Sequence, residues 1–355
     1  MNRFEAGTPF DDLPRLPPVQ DLESVEVMRA CVKASRSLAE LQGLIETIPE
    51  KRILLELLPL QESESSSAIE NIVSSKQRIF MAVSDDTETD RFTKEIVSYN
   101  KALSTVSGEL PDLKTTRRIC SIILDDEIEF RRAGDDPVEL YMPGSKKPVY
   151  TPPSSDRVSA FMDNLIEYIF TDDEVDPLIK MAVIHYQFEA IHPFYDGNGR
   201  TGRILNILYL QYSGLLRDPM LFLSGYIIRN KRRYYDLLSE VSLTGKWEQW
   251  ILFMLDAVDT TSKETISLIR GITGLMGRCM ERAKALKIPE ACIDVTFANP
   301  FCTIGRMRDS LGCSKPSAMK YLRMMEEDGM LTSTVSGKIK IFENRGLMDL
   351  FAKDR

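Results

Sequence analysis

Residues 190–210 read AIHPFYDGNGRTGRILNILYL, and the rest of the chain is understood from this stretch. A helix ending near Ala190 delivers His192 to a proline, whose ring favours extended backbone in the residue before it. Gly197, Asn198 and Gly199 tolerate positive φ and can turn successive N–H groups toward one point, where the following helix also presents its positive end. The pattern predicts an anion nest. Arg200 and Arg203 add two cationic forks that can reach the same anion. Because Arg203 stands directly before the largely apolar run Ile204 to Leu210, it needs a buried partner. Asp196 places a carboxylate beside the expected polyphosphate, as Mg²⁺ requires when it bridges a carboxylate and phosphate oxygens. A histidine with an ordinary pKa of about 6.5 can take a proton from a hydroxyl near neutral pH, which suits His192 to the role of base.

Outward toward the N-terminus, apolar residues recur at helical spacing from Leu22 to Leu58 (Val25, Met28, Val32, Leu38, Leu41, Leu44, Ile45), with Pro49 as a break. This predicts a helical hairpin. The polar stretch QESESSSAIENI then predicts the start of another helix, capped by serines. An acidic loop covers Asp85 to Asp90, and helices are expected around Phe92 to Val106 and Thr115 to Leu124. Between Gly134 and Ser155 prolines are frequent, and Val138 to Met142 with Pro148 to Thr151, joined across GSKK, reads as a short hairpin or flap. Helices follow over Asp156 to Phe170, Pro177 to Ala190 and Thr201 to Tyr212, and then onward to about Arg282. His185, seven residues before His192 and on the same helical face, reads as structural.

Near the C-terminus, GRMRDSLGCSKPSAMKYLRMMEEDGMLTSTVSGKIKIF gives a helix, a tight turn at Leu311–Gly312, a helix capped by Ser314 with Pro316 in its first turn, and two strands joined at Ser336–Gly337. That order is a winged helix-turn-helix. From Thr296 to Arg355, ten Lys plus Arg against seven Asp plus Glu leave +3, while the whole chain carries -8. The signal for DNA is therefore modest, and a protein contact through this unit stays open beside it.

Composition narrows the function classes. With 43% hydrophobic and 28% charged residues over 355 positions, the chain is an ordinary globular protein of two or three packed units. Its acidic balance disfavours non-specific binding to nucleic acid or anionic membrane. Six scattered cysteines without a CxxC pair fit a reducing, cytoplasmic setting, and they form no usual zinc spacing with the two histidines. Apolar runs stay far below the roughly 18 residues of a membrane span.

The residues HPFYDGNGRTGR, His192 to Arg203, match the signature HPFx(D/E)GNGRxxR at every position, and the chain resembles the Fic family. The resemblance implies a mainly α fold: a Fic-type helical core with a β-hairpin flap, an N-terminal helical region and the C-terminal winged helix found in many bacterial members. Boundaries drawn on this basis are 1–110, 111–257, a connecting helix over 258–290, and 291–355. It also implies transfer of AMP from ATP to a Ser, Thr or Tyr hydroxyl of a target protein, this chain included, with pyrophosphate leaving. His192 would be the base, Phe194 a core anchor and Asp196 the Mg²⁺ ligand. Gly197, Asn198, Gly199 and Arg200, with Thr201 and Gly202 in the same site, would hold the α- and β-phosphates of ATP, and Arg203 the γ-phosphate. Asn230, in the NKRRYY run, falls on the adenine side. SSAIEN, residues 66–71, resembles the family's inhibitory (S/T)xxxE(G/N) pattern, so Glu70 would occupy Arg203 while Ser66 holds its helix. Two other readings remain: a DNA-binding regulator with a nucleotide-sensing core, and a Fic enzyme that uses another phosphate donor or removes AMP. A homodimer is left open.

Overall fold

The computed structural model describes residues 5–48, 51–84, 89–141, 146–336 and 339–353. The expected break at Pro49 lies outside them, as do most of the acidic loop, Gly144 and Ser145 of the GSKK turn, and Gly337 of the last turn. The chain begins with α1 (Val25–Glu46), α2 (Arg52–Ile69), α3 (Lys76–Ser84), α4 (Arg91–Val106) and α5 (Leu113–Leu124). The strands β1 (Leu140–Tyr141) and β2 (Pro148–Tyr150) form an antiparallel flap. Then come α6 (Val158–Phe170), α7 (Pro177–Ile191), α8 (Asn198–Tyr212), α9 (Ser224–Arg229), α10 (Lys231–Thr244) and α11 (Glu248–Ala285). The last part holds α12 (Glu290–Ala298), β3 (Phe301–Thr303), α13 (Ile304–Leu311), α14 (Lys315–Glu327), β4 (Thr332–Ser336), β5 (Ile339–Glu343) and α15 (Arg345–Lys353). The fold is mainly α. No helix among the described residues is long and apolar enough to cross a membrane.

The centre is the pair α7 and α8, which pack on each other. Every residue of α7 from Leu178 to Phe188 is buried, so this helix has no solvent stripe, and α8 is buried from Arg200 to Leu210. Asp176 caps α7 by accepting from the Leu178 amide at 2.8 Å, with Pro177 at the first helical position. His185 lies in this core as a structural residue, its Nε2 2.9 Å from the Tyr234 hydroxyl and its ring stacked on Trp250.

The N-terminal region departs from the expected hairpin. The buried stripe of α1 is Val27, Cys31, Ala34, Leu38, Leu41 and Ile45, and it faces α11. Val25, Met28 and Val32 lie on the exposed side. Instead of folding back along α1, α2 packs on α4 and α9. The polar stretch expected to start a new helix is the second half of α2, with Pro59 inside the helix and Glu62, Ser63, Ser66 and Ser67 buried. These serines are interior groups and not N-caps, because the helix continues through them and α4, α8, α9 and α12 cover it. The division drawn at 257/258 falls inside α11, which is one continuous helix of 38 residues.

At the C-terminal end, α13 stops at Gly312 with φ of 59°, Ser314 caps α14, and β5 lies between β3 and β4. This unit rests on the side of the molecule formed by α2 and α3. Its α12 packs against α2, Phe80 of α3 stacks with Phe351, and Asn299 Nδ2 donates to the Phe80 carbonyl at 2.8 Å.

Candidate active site

The loop between α7 and α8 is fixed by its own residues and by one arginine from outside it. His192 ends α7 in the left-handed region at φ 50°, its amide donating to Phe188 O at 3.0 Å, and Pro193 prevents continuation of the helix. Phe194 is fully buried, with its ring 5.1 Å from that of Phe130. Asn198 exchanges two hydrogen bonds with Phe194: Nδ2 donates to the Phe194 carbonyl at 2.8 Å and Oδ1 accepts from its amide at 2.9 Å. Its side chain is thus spent on bracing the loop rather than turned toward a phosphate. Arg131 clamps the outside, donating to the carbonyls of His192, Ile191 and Pro153 and to Ser155 Oγ.

The nest is built differently from the expectation. Only Gly197 takes positive φ, at 80°, while Asn198 and Gly199 already belong to the first turn of α8. A helix N-terminus leaves its first N–H groups unpaired and pointing one way, so a single left-handed residue suffices to make the anion site. A side chain on Gly197 would also press on Cys120 Sγ at 3.1 Å. Thr201 and Gly202 lie in the same helix, and Gly202 lets α8 approach Phe188 and Glu189 of α7.

A cavity of about 400 Å³ opens between the end of α2, the flap, α7, the start of α8 and α10. Of the sequence candidates it is lined by His192, Gly199, Arg203 and Glu70. Burial first, then the Arg131 guanidinium, push the His192 imidazole down to about 4, against the opposing pull of the Glu189 carbonyl and Asp196. The ring is therefore neutral at physiological pH and can accept a proton. Arg203 is buried, and its Nε donates to Ser66 Oγ at 2.8 Å and its Nη2 to Ser66 O and Glu70 Oε1, both at 3.0 Å. Burial acts to lower the Arg203 pKa, but the fields of Glu70, Tyr234, Tyr99 and Glu189 outweigh it and hold the group above its ordinary value. The Glu70 carboxylate lies so close over Gly199 that a side chain there would collide with it. Its Oε1 thus lies against Gly199 in the first turn of α8 while it accepts from Arg203.

Two candidates sit elsewhere. Arg200 is 1% exposed and pairs with Glu95 Oε2 at 3.0 Å and Asp196 Oδ1 at 3.3 Å, so it steadies Asp196 from behind. Asn230 joins α9 to α10 and donates its amide back to the Tyr226 carbonyl at 2.9 Å, away from the cavity lining. No cluster of three His, Cys, Asp or Glu that could hold a metal alone occurs among the described residues. Asp196, with its side chain 66% exposed at the mouth of the nest, suits an ion that takes one protein carboxylate and completes its shell with phosphate oxygens.

Residues 28–106 match the model described as Fic/DOC family N-terminal, and residues 111–210 match the model described as Fic/DOC family. The chain belongs to the Fic/DOC family. Among its relatives, a probable protein adenylyltransferase of Aquifex aeolicus is 33% identical over 91 residues, 26% of this chain and 26% of that protein. Protein adenylyltransferase fic-1 of Caenorhabditis elegans is 32% identical over 101 residues, 26% of this chain and 20% of that protein. The matches thus span about a quarter or less of these relatives. In fold, this Fic chain resembles a Fic family protein from Desulfovibrio desulfuricans with a TM-score of 0.59 at 20% identity, covering 92% of this chain and 98% of that one. The worm Fic-1 structure gives a TM-score of 0.51 at 18% identity, covering 69% and 74%.

Sequence reasoning on this Fic chain missed Arg131, Glu95, Glu189 and Lys231. The first two act on the loop from the segment before the flap and from α4, and nothing local marks them. Glu189 lies three residues before His192 and lines the cavity; burial first, then Glu70, raise its carboxyl to about 7 against the pull of Arg203. The signal for Asn71 was present in the pattern. It sits at φ 63°, its amide donating to Ala68 O and the Ile72 amide to Ser67 O, each at 3.0 Å, which is a Schellman close of α2. The position after Glu70 is restricted to Gly or Asn because it must be left-handed.

Proposed function

We propose that the chain transfers AMP from ATP to a hydroxyl side chain of a protein, itself included, and that Glu70 on Arg203 holds it in a resting state. The observation that carries this reading is one cavity shared by a neutral His192 and the N-terminus of α8 with Arg203 beside it. The α8 amides and Arg203 would bind and orient the polyphosphate. His192 would accept the proton of the target hydroxyl as its oxygen bonds to the α-phosphorus and the bond to pyrophosphate breaks. A Mg²⁺ ion on Asp196 would neutralise charge on the phosphates. Tyr150, whose hydroxyl donates to the Ala190 carbonyl at 2.8 Å, pins the flap beside His192, and the short flap strands would align an extended target segment. The names of the Aquifex and worm relatives support the same chemistry. The test is mass spectrometry of the Glu70→Gly protein and a cell lysate incubated with ATP and Mg²⁺. Absence of any AMP addition on either would end this reading.

A second reading concerns the C-terminal unit. Lys315, Lys320 and Arg323 occupy exposed positions of α14, the helix that would enter a DNA groove in a winged helix. Duplex binding by the whole protein should then weaken steeply with salt, and an affinity indifferent to salt would sink it.

A further inference from the structure

The end of α2 is held by more than Arg203. Lys231, the first residue of α10, lines the same cavity as Glu70 and His192. Its ammonium donates to the Ile69 carbonyl and, at 3.4 Å, to Asn71 Oδ1. These are the residues on either side of Glu70. The last carbonyls of a helix lack intrahelical partners and carry the negative end of its dipole, so a cation there is stabilising. Resting α2 therefore engages two cations of one cavity: Arg203 through Ser66 and Glu70, and Lys231 through Ile69 and Asn71.

We propose that Lys231 is a positioning residue that latches the end of α2 and thereby keeps the Glu70 carboxylate over the start of α8. The proposal rests on the reading of Glu70 as inhibitory. Glu70 is the capping residue of α2, so the direction of its side chain follows from how the last turn is fixed. The Schellman hydrogen bonds fix that turn from within, and Lys231 ties it to α10 from outside. A polyanion that contests Arg203 must move Glu70 out of a turn that Lys231 ties to α10. Removing the ammonium should loosen that turn without touching Arg203.

The experiment compares the full chain with its Lys231→Met, Lys231→Arg, Glu70→Gly and Glu70→Gly plus Lys231→Met variants. Two readouts are taken: amide hydrogen exchange of the segment 66–73, and self-labelling with ATP and Mg²⁺. A cation at a helix C-terminus changes such an equilibrium by about two- to fivefold. Lys231→Met should speed exchange in 66–73 by about that factor, raise labelling similarly, and give no further rise on Glu70→Gly. Lys231→Arg, which keeps a cation, should behave as the parent. Unchanged exchange in Lys231→Met, or labelling lowered by the same factor in both backgrounds, overturns the latch; the second result makes Lys231 a nucleotide ligand only. If Glu70→Gly fails to exceed the parent, the inhibitory role of Glu70 falls, while the exchange readout still decides whether Lys231 holds the turn. Unaltered exchange elsewhere in the chain shows that the variant is folded.

Discussion

The first two turns of α8 meet two neighbours, and they treat its arginines differently. Arg200 faces Glu95, which sits inside α4 and is 16% exposed. Arg203 faces Glu70, the capping residue at the open end of α2, 34% exposed at the cavity. Both are guanidinium–carboxylate pairs with a nitrogen–oxygen distance of 3.0 Å. Glu95 also accepts from Arg91 and stands on a helix that packs against α2 and α5, whereas Glu70 stands on a helix cap at a cavity. On the proposed reading, the same chemistry would make a scaffold on one side of α8 and an exchangeable partner on the other.

That contrast can be broken at several points. The largest effect is expected at His192, the proposed base. His192→Ala in the Glu70→Gly background should lower transfer by about 10²–10⁴-fold while ATP binding stays nearly the same, measured by labelling rate and calorimetry. Next comes the scaffold pair. Glu95→Ala leaves Arg200 buried without its partner in α4 and should cost about 3 kcal/mol of stability in a denaturant melt, with no gain in labelling. A Glu95→Ala protein as stable as the parent, or one more active, would erase the distinction between the two arginines.

Glu70→Gly is the matching change on the other side. It should raise self-labelling by roughly 5–150-fold, the range of ordinary coupling between two states of a protein. Arg203→Ala on top of it should remove the gain, because the freed guanidinium is what the first change exploits. A double mutant as active as Glu70→Gly would disconnect the two residues.

The contrast also explains what could be read in advance. The loop from His192 to Arg203 was legible because its determinants are local: a proline, a left-handed glycine and a helix start lie within twelve residues. Even there, the way the Asn198 side chain braces Phe194 was not legible, since a polar side chain in a nest does not announce which way it bonds. The α2 side was legible only as a pattern. Its serines read as N-caps because their burial comes from α4, α8 and α9, far away in sequence. Glu62 shows the same thing: it is buried, accepting from Ser224 and from the Tyr99 hydroxyl, and burial raises its pKa. In α1 both apolar stripes satisfied helical spacing, and only the partner α11 decided which one was covered.

The smallest expected effect lies between the two arginines, at Glu189. Its carboxyl stands at about 7 against an ordinary 4.5, mainly through burial and then through the nearby Glu70 carboxylate, with Arg203 pulling it back. Between these two values the unfolded chain has lost the proton that the folded chain keeps. Folding then binds a proton, so stability from this group is complete below about 4.5, declines as pH rises, and is gone above about 7. A fully enclosed group would contribute about 3 kcal/mol over that window, and the partial exposure of Glu189 brings the expectation to about 1–2 kcal/mol. His192 and His185, held down to about 4 and about 3, act in the opposite sense, because folding expels their protons below the ordinary value of 6.5. The parent curve is therefore a sum, and the difference between parent and Glu189→Gln isolates the carboxyl. Denaturant melts from pH 4.5 to 8 should show Glu189→Gln gaining on the parent by about 1–2 kcal/mol as pH rises. In the Glu70→Gly background the gain should shrink, because the carboxylate that helps raise Glu189 is gone and Arg203 is left to it. An equal gain in both backgrounds would mean that Glu189 and Glu70 do not share Arg203, and the α2 side of the turn would then be no more exchangeable than the α4 side.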